Sequence, residues 1–309
     1  MNKFSLFFPG QGSQSVGMMS GFADSKVIKD TFVEASDILD VDFWAMATEP
    51  NELLSLTQNT QPLMLIAGVA THRAYMEAGG LQASIHAGHS LGEYTALVAS
   101  SVLSFADALP LVKFRAEAMQ AAVPEGVGAM AAILGLDDEQ VRAACLEAAQ
   151  GEVCDAVNYN SIGQVVIAGN KAAVERAMEI AKAKGAKRAL PLPVSVPSHC
   201  ALMRPAAEKL AEYLKNVTIN TPQIPVIHNA DIVSYHNAEQ IKDALVRQLY
   251  SPVRWVETVQ VIAAQGVTSS AECGPGKVLA GLTKRIVAEL PCTALISNEA
   301  VTEFIKVNN

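Results

Sequence analysis

A serine flanked by glycines, at the junction of a predicted strand and a predicted helix, constrains the fold more than any other feature of the sequence. Residues 88–92 have the sequence GHSLG, after a short apolar strand pattern at 85–87 and before a helical pattern at 91–100. On so tight a turn a side chain at either glycine would collide with the backbone, and the serine hydroxyl projects from the sheet edge. The amide of the following residue, at a helix N-terminus, faces the place where an oxyanion would form. This context favours Ser90 as a nucleophile over an ordinary strand-to-helix loop.

Strand and helix patterns alternate through the first third of the chain. Strands are predicted at 4–8 and 85–87, and helices at 62–78, 91–100 and 105–121. This alternation predicts an α/β fold with a parallel sheet covered by helices. A chain of 309 residues exceeds what one compact core usually holds, so a smaller second unit is expected.

The pattern changes at residue 126. Strand, helix, strand, strand, helix and strand patterns follow in that order, at 127–134, 137–149, 154–159, 164–168, 171–184 and 188–194. This order is typical of a ferredoxin-like unit. We therefore predict an inserted ferredoxin-like subdomain at 126–196, within a core formed by 1–125 and 197–309. The core continues with a helix at 203–214, a strand at 225–228, helices on either side of 251–252 and a strand at 268–273.

Composition and charge exclude several classes of protein. Half of the residues are hydrophobic and 17% are charged, which is enough apolar material for a large core. The 23 basic and 31 acidic residues give a net charge of −8, which disfavours a general nucleic-acid binder. The N-terminal apolar run is too short for a secretion signal, and the longest apolar segment, at 63–70, is too short to span a membrane. We expect a soluble, cytoplasmic protein.

The cysteines and histidines give no sign of a metal site or a disulfide framework. The five cysteines form no C-x-x-C pair, and the histidines lack metal-binding spacings. We expect the thiols to be small buried hydrophobic groups in a reducing compartment, and we expect no metal.

A serine hydroxyl needs a base to take its proton. His89 is poorly suited, because neighbouring side chains on a sharp turn point apart. The candidates further along the chain are His199, His228 and His236. His199 and His228 each follow a predicted strand, so the residues alone favour His199 only slightly, and a lone histidine is more often a satisfied loop or core residue.

Arg115 is the candidate for binding an anion. It shares one face of a predicted helix with Met119, and a planar guanidinium can bind a carboxylate through two parallel hydrogen bonds. The simpler interpretation is a surface arginine near Glu117. The glycine pairs at 10–12 and 274–276 lack the residues of nucleotide-binding loops, so we expect close backbone packing there, with the Gln11 amide near the serine turn.

Several segments together resemble the malonyl-CoA:acyl carrier protein transacylases of bacterial fatty acid synthesis, an acyltransferase family. They are PGQGSQ at 9–14, GHSLG at 88–92, Arg115 in its helix, NYN at 158–160, VPSH at 196–199, QLYSPV at 248–253 and GPG at 274–276. The resemblance in order and spacing covers nearly the whole chain, and no catalytic position departs from the family's pattern.

The resemblance implies a hydrolase-like α/β core with the inserted ferredoxin-like subdomain, and it implies roles for particular residues. Ser90 would be the nucleophile and His199 the general base. The backbone carbonyl of Gln248, instead of an aspartate or glutamate, would orient His199. The backbone amides of Gln11 and Leu91 would form the oxyanion hole.

The resemblance also implies the substrates. Arg115 would bind the malonyl carboxylate in a pocket lined by Met119 and Asn160. The malonyl group would pass from malonyl-CoA to Ser90, and then to the phosphopantetheine thiol of an acyl carrier protein, with ping-pong kinetics. Coenzyme A and the carrier's arm are substrates, so no bound cofactor is expected, and a monomer is expected.

Carrier proteins of this kind are acidic, so an enzyme with a net charge of −8 should offer them a local positive patch. The candidates are the basic pairs Lys187-Arg188 and Lys284-Arg285. An ordinary solvated surface explains such pairs equally well.

Three other functions are compatible with parts of the pattern. An esterase or thioesterase could use the same serine turn, but would admit water to the acyl-serine. A transacylase for another carboxylated group, such as methylmalonyl, would keep Arg115. A catalytically inactive binding module would not need Gln11, Ser90, Arg115 and His199 together.

Overall fold

The structure is a computed structural model that describes residues 3–194 and 196–308. Its main sheet has five parallel strands in the order β7-β2-β1-β8-β9. The strands are β1 (Phe4–Phe8), β2 (Ile85–Gly88), β7 (Val226–Ile227), β8 (Ser269–Glu272) and β9 (Cys292–Ala294). Every residue of β1 is buried, as expected for a central parallel strand that is covered on both faces.

Helices cover both faces of this sheet. They are α1 (Lys26–Leu39), α2 (Phe43–Thr48), α3 (Thr57–Glu77), α4 (Gly92–Ala99), α5 (Phe105–Ala122), α8 (Arg204–Leu214), α9 (Ala238–Gln248), α10 (Trp255–Ala264), α11 (Val278–Ile286) and α12 (Asn298–Asn308). Successive side chains of a strand point to opposite faces, so Leu6 and Phe8 pack into one hydrophobic cluster with α3, α4 and α5. Phe7 packs into a second cluster with Trp255 of α10.

A second, antiparallel sheet is inserted between α5 and α8. Its elements are β3 (Gly128–Leu134), α6 (Asp138–Ala149), β4 (Cys154–Ser161), β5 (Gln164–Asn170), α7 (Lys171–Ala183) and β6 (Arg188–Pro191). The strand order β4-β5-β3-β6 with both helices on one face is the ferredoxin-like arrangement. The predicted fold class is therefore confirmed. The division into 1–125, 126–196 and 197–309 stays a prediction.

The two faces of the small sheet have different partners. Ala131 and Ile133 of β3 pack against α6 and α7. Met130 faces the other way and packs with Cys200, beside His199. The strand β4 also touches the core directly, because the Val253 amide donates to the Val157 carbonyl at 2.8 Å. The insertion therefore forms one wall of the region around His199.

Several element bounds differ from the sequence predictions for identifiable reasons. The helix predicted to begin at Pro62 begins at Thr57, so Pro62 lies inside it and removes one backbone hydrogen bond without ending the helix. The strand predicted at 188–194 ends at Pro191, because prolines at 191 and 193 cannot donate to a sheet ladder. The last predicted element is the strand at 268–273, so the helix α11, the strand β9 and the helix α12 were not predicted. No helix within 3–194 and 196–308 is long and apolar enough to cross a membrane.

Candidate active site

Ser90 lies on the turn between β2 and α4, with a φ of 51° in the left-handed region that non-glycine residues rarely adopt. The flanking glycines make this turn possible. A Cβ on Gly88 would lie 1.9 Å from the Gly92 backbone, and one on Gly92 would lie 1.9 Å from the Phe8 carbonyl oxygen. Close packing of the turn against β1 therefore holds the strained serine in place.

His199 is in contact with the Ser90 hydroxyl. Its Nε2 lies 2.8 Å from Ser90 Oγ, and its Nδ1 lies 2.8 Å from the backbone carbonyl oxygen of Gln248. A carbonyl oxygen can only accept, so Nδ1 carries the proton and Nε2 has a free lone pair. The arrangement can move a proton from Ser90 Oγ to His199 Nε2.

The surroundings of His199 keep its ring neutral. Burial lowers the pKa of His199 to about 3, and the positive charge of Arg115 acts in the same direction, against the opposing hydrogen bond to Gln248. At neutral pH the imidazole is therefore in the form that accepts a proton.

Arg115, on α5, is 1% exposed, and all of its hydrogen-bond partners are neutral. Nη1 donates to Gln61 Oε1 at 2.6 Å, and Nη2 donates to Gln248 Oε1 at 2.9 Å and to Ser90 Oγ at 3.3 Å. Burial lowers the pKa of Arg115, but a guanidinium stays protonated in proteins. Among the described residues no carboxylate lies within ion-pair distance of it. A fixed positive charge thus lies beside the serine, ready for an anionic ligand.

A cavity of about 120 Å³ lies over Ser90. Its lining residues come from both the core and the insertion, and they are Gln11, Thr57, Gln61, His89, Ser90, Leu91, Arg115, Met119, Met130, Asn158, Leu192, Val194, Val196, Ser198 and His199. The volume suits a small acyl group. An open groove of about 560 Å³ adjoins it and shares Thr57, Met130, Leu192 and Val194 with it, which gives a route from the surface.

The structure brings most of the predicted site residues together, with one exception. Ser90, His199, Arg115, Met119, Gln11 and Leu91 all line the cavity. Asn160 does not, because its Oδ1 lies 2.8 Å from His89 Nε2, and Asn158 lines the cavity instead. The pairing of β4 is irregular between Tyr159 and Ser161, and a bulge of this kind changes the direction of the next side chain.

The other candidate histidines lie away from the Ser90 hydroxyl. His228 is buried, and its Nδ1 lies 2.7 Å from Glu93 Oε1. His236 is exposed. The ring nitrogen Nε2 of His89 is occupied by Asn160. Of these histidines, only His199 is placed to accept the serine proton.

Three buried polar residues support the site and were not found from the sequence. Gln61 bonds Arg115. The side-chain oxygen of Asn229 accepts from the Ser90 backbone amide at 2.8 Å, and its Nδ2 donates to the Gly88 carbonyl oxygen at 2.7 Å. Glu93 accepts from the backbone amide of Asn229. Asn229 follows β7, the neighbour of β2, so the rule that ligand-binding residues follow parallel strands could have indicated it. Gln61, inside an apolar helix, gives no such signal.

Two of the four predicted basic residues line a surface groove between the two units. Lys187 and Arg285 both line it, and Arg285 Nη1 donates to Gln164 Oε1 at 2.9 Å. Arg188 and Lys284, next to them in sequence, are exposed. The groove includes Leu134, which lies four residues along β3 from Met130 of the cavity lining, a distance of roughly 13 Å along the strand at about 3.3 Å per residue.

Comparisons with known proteins agree with one another. The model of the acyl transferase domain family matches residues 6–301. The chain is 55% identical to the malonyl CoA-acyl carrier protein transacylase of Escherichia coli (strain K12), over 99% of this chain and 100% of that protein. It is 43% identical to the Bacillus subtilis (strain 168) protein of the same name, over 97% and 96%.

Two solved structures extend this similarity to the fold. The acyl-carrier-protein S-malonyltransferase from Burkholderia pseudomallei 1710b has a TM-score of 0.97 at 58% identity, over 98% of this chain and 99% of that one. A malonyl-transacylase solved in complex with a type II polyketide synthase acyl-carrier protein has a TM-score of 0.97 at 53% identity, over 99% and 100%.

Proposed function

The chain belongs to the acyl transferase domain family, and we propose that it transfers the malonyl group of malonyl-CoA to the phosphopantetheine thiol of an acyl carrier protein. The observation that carries the proposal is the position of Arg115 Nη2, 3.3 Å from a serine oxygen that is also bonded to a neutral histidine. The relatives named as malonyl transacylases, and the one solved with a carrier protein, support the same substrates.

The first half of the reaction forms an ester on Ser90. Its Oγ attacks the thioester carbonyl of malonyl-CoA while His199 Nε2 takes the hydroxyl proton. The backbone amides of Gln11 and Leu91 stabilise the negative charge on the carbonyl oxygen. The intermediate then expels the coenzyme A sulfur, which takes the proton from His199.

The second half reverses these steps with a different thiol. His199 Nε2 takes the proton of the phosphopantetheine thiol, and the sulfur attacks the malonyl-serine ester. The Ser90 oxygen leaves and regains its proton from His199, so free enzyme and malonyl-carrier result. Because one product leaves before the second substrate reacts, the kinetics are ping-pong.

Arg115 selects an acyl group that carries a carboxylate. Its Nε has no hydrogen-bond partner within the described part of the chain although the atom is buried. A guanidinium has five N–H donors, and those not bonded to Gln61, Gln248 and Ser90 are free to bind a carboxylate. The malonyl carboxylate satisfies them and neutralises a buried charge, whereas an acetyl group does neither.

The reaction requires no bound cofactor, because coenzyme A and the carrier's arm enter and leave as substrates. Ser90, His199 and Arg115 all come from one chain, so a monomer is sufficient. All five cysteines are free and four of them are buried, which suits the reducing cytoplasm where fatty acid synthesis would supply the carrier.

Intact-mass measurement after brief mixing with malonyl-CoA, without carrier, tests the proposal. We expect a malonyl adduct on the wild-type protein that is absent from Ser90→Ala. Ser198→Ala is the matched control, because Ser198 also lines the cavity, and it should keep the adduct. Adding a carrier with its phosphopantetheine arm should move the malonyl group to the carrier. Release of coenzyme A without an adduct would indicate a hydrolase instead, and neither signal would mean that the acyl group is wrong.

A further inference from the structure

A buried carboxylate lies one side-chain amide away from Arg115. Glu93, in the first turn of α4, is fully buried, and its Oε2 accepts from Gln248 Nε2 at 2.9 Å. At the other end of the same amide, Gln248 Oε1 accepts from Arg115 Nη2 at 2.9 Å. The transfer steps above use the backbone carbonyl of Gln248 and make no use of Glu93.

The two charged ends fix the orientation of the Gln248 amide. A guanidinium can only donate and a carboxylate can only accept. Gln248 must therefore turn Oε1 to Arg115 and Nε2 to Glu93. In this orientation Nε2 also donates to the Ser90 backbone oxygen at 3.0 Å, so the amide spans the charged pair and the serine turn.

Both carboxylate oxygens of Glu93 have N–H donors. Besides Gln248, these donors are His228 Nδ1 at 2.7 Å and the backbone amide of Asn229 at 2.9 Å. Glu93 therefore accepts N–H bonds on both carboxylate oxygens.

Glu93 and Arg115 are thus an acidic and a basic side chain that are both buried. They form no direct ion pair within the described residues, and the Gln248 side chain joins them. Burial lowers the pKa of Arg115, while the attraction of Glu93 acts in the opposite direction. A buried guanidinium that must stay charged and correctly placed before substrate arrives benefits from such an anion, provided that the anion does not occupy the substrate's own position.

We propose that Glu93 is a positioning residue of the acyl pocket, which acts through the Gln248 side chain to set the Arg115 guanidinium for a carboxylated acyl group. This inference rests on the proposed malonyl transfer. The competing explanation is that Glu93 only holds the serine turn, through Asn229. The turn serves every acyl group equally, whereas the guanidinium serves only carboxylated ones, so the two explanations predict different selectivities.

The variant Glu93→Gln separates them. It keeps the shape but gives the site an NH₂ group where N–H donors already converge. The variant removes the negative charge that attracts the Arg115 guanidinium, and a new NH₂ that faced Gln248 would also turn over the Gln248 amide and point its NH₂ at Arg115. We expect the ratio of malonyl-CoA to acetyl-CoA kcat/KM to fall at least about ten-fold. Glu93→Asp keeps the charge and should hold the ratio within about three-fold of wild type.

Glu272→Gln is the matched control. Glu272 is also fully buried and also accepts a backbone amide, that of Ala280 at 2.9 Å, but within the described residues it has no hydrogen bond to Gln248, which joins Glu93 to Arg115. Its substitution should leave the ratio unchanged. Equal slowing of both acyl groups in Glu93→Gln would overturn the proposal in favour of the turn-holding role.

A second variant keeps the test decisive if Glu93→Gln does not fold. Gln248→Met breaks the bridge to Arg115 but leaves Glu93 its bonds to His228 and Asn229, and the proposal again requires at least about a ten-fold fall in the ratio. An unchanged ratio would overturn it. The malonyl adduct of the wild-type protein is measured by mass in the same experiment. Its absence would reject malonyl transfer itself. Its presence together with an unchanged ratio of malonyl-CoA to acetyl-CoA kcat/KM in the variant would reject only the role of Glu93.

Discussion

At the residue scale, one oxygen atom is contacted by a neutral base and by a fixed cation. His199 Nε2 and Arg115 Nη2 lie 2.8 and 3.3 Å from Ser90 Oγ. The cation favours a serine oxygen with developing negative charge. It also disfavours protonation of His199, so the base is not lost to solvent protons between turnovers. In the proposed reaction, the same charge would act on the nucleophile, the base and the carboxylate of the substrate.

The lowered pKa of His199 predicts that Ser90 stays reactive in mild acid. An imidazole with the ordinary pKa of 6.5 would be only about 3% neutral at pH 5. An imidazole with a pKa of about 3 would be almost wholly neutral at that pH. The rate of inactivation by a neutral sulfonyl fluoride should therefore change little from pH 7 to pH 5.

The neutral reagent is chosen because its binding does not depend on charge. Arg115→Gln removes one of the causes of the low pKa of His199, so the acid limb of its inactivation profile should move to higher pH than that of wild type. A wild-type midpoint near pH 6.5 would contradict the buried, neutral histidine.

Replacing Arg115 should change selectivity more than reactivity. Arg115→Ala removes the partner of a buried malonyl carboxylate, which should cost about 3–5 kcal/mol. The kcat/KM for malonyl-CoA should then fall by roughly two to three and a half orders of magnitude, while acetyl-CoA gains relative activity. Arg254→Ala is the control, because Arg254 pairs with Glu257 on the surface. Malonyl transfer that survives nearly intact would mean that Arg115 does not bind the carboxylate.

At the scale of elements, close packing of β1 against the start of α4 holds the nucleophile turn. Gly92→Ala would place a Cβ 1.9 Å from the Phe8 carbonyl oxygen. Backbone atoms cannot move aside cheaply, so unfolding free energy should drop by at least about 1–3 kcal/mol. Acylation of Ser90 should also be lost, because the turn must shift.

Gly281→Ala is the opposite case and the control. Gly281 is an exposed residue of α11, and a Cβ there would meet nothing within 4 Å. Alanine favours a helix over glycine, so stability should rise by about 0.5–1 kcal/mol. Urea unfolding measures both changes, and a Gly92→Ala protein as stable as wild type would show that the turn is not tightly packed.

The elements that the sequence predicted well are those with strong local patterns. The glycine-flanked turn and the strand-helix order of the insertion depend on neighbouring residues, and both are present. The strand β9 has three half-buried residues, too few for a periodic pattern. The start of α3 was placed five residues late. Proline is common at the first position of a helix, so Pro62 was taken as the start although it lies inside the helix.

The same distinction applies to the site. Ser90 stands out through its neighbours, but His199 and Arg115 were ambiguous until the resemblance to a family was added. Glu93, Gln61 and the Gln248 side chain were missed, since their importance comes from contacts across 54 to 155 residues of sequence. A buried hydrogen-bond network of this kind leaves no local pattern, and only the fold reveals it.

At the scale of the whole molecule, the cavity belongs to both units. The core supplies Ser90 and Arg115, and the insertion supplies Met130 and Asn158. The groove with Lys187 and Arg285 also lies where the two units meet. A carrier bound there would contact both units, with its reactive thiol at the end of a long arm directed to the cavity.

The position of this groove gives a prediction for carrier docking. The variant Lys187→Ala/Arg285→Ala removes two exposed positive charges that face an acidic partner, so KM for the carrier should rise about ten-fold and its salt dependence should weaken. Adduct formation from malonyl-CoA alone should be unchanged, because Ser90 and the cavity are untouched. Lys26→Ala/Lys29→Ala removes the same charge from α1, outside the groove, and should leave carrier kinetics as in wild type. Equal effects of the two double variants would mean that net charge, and not this groove, attracts the carrier.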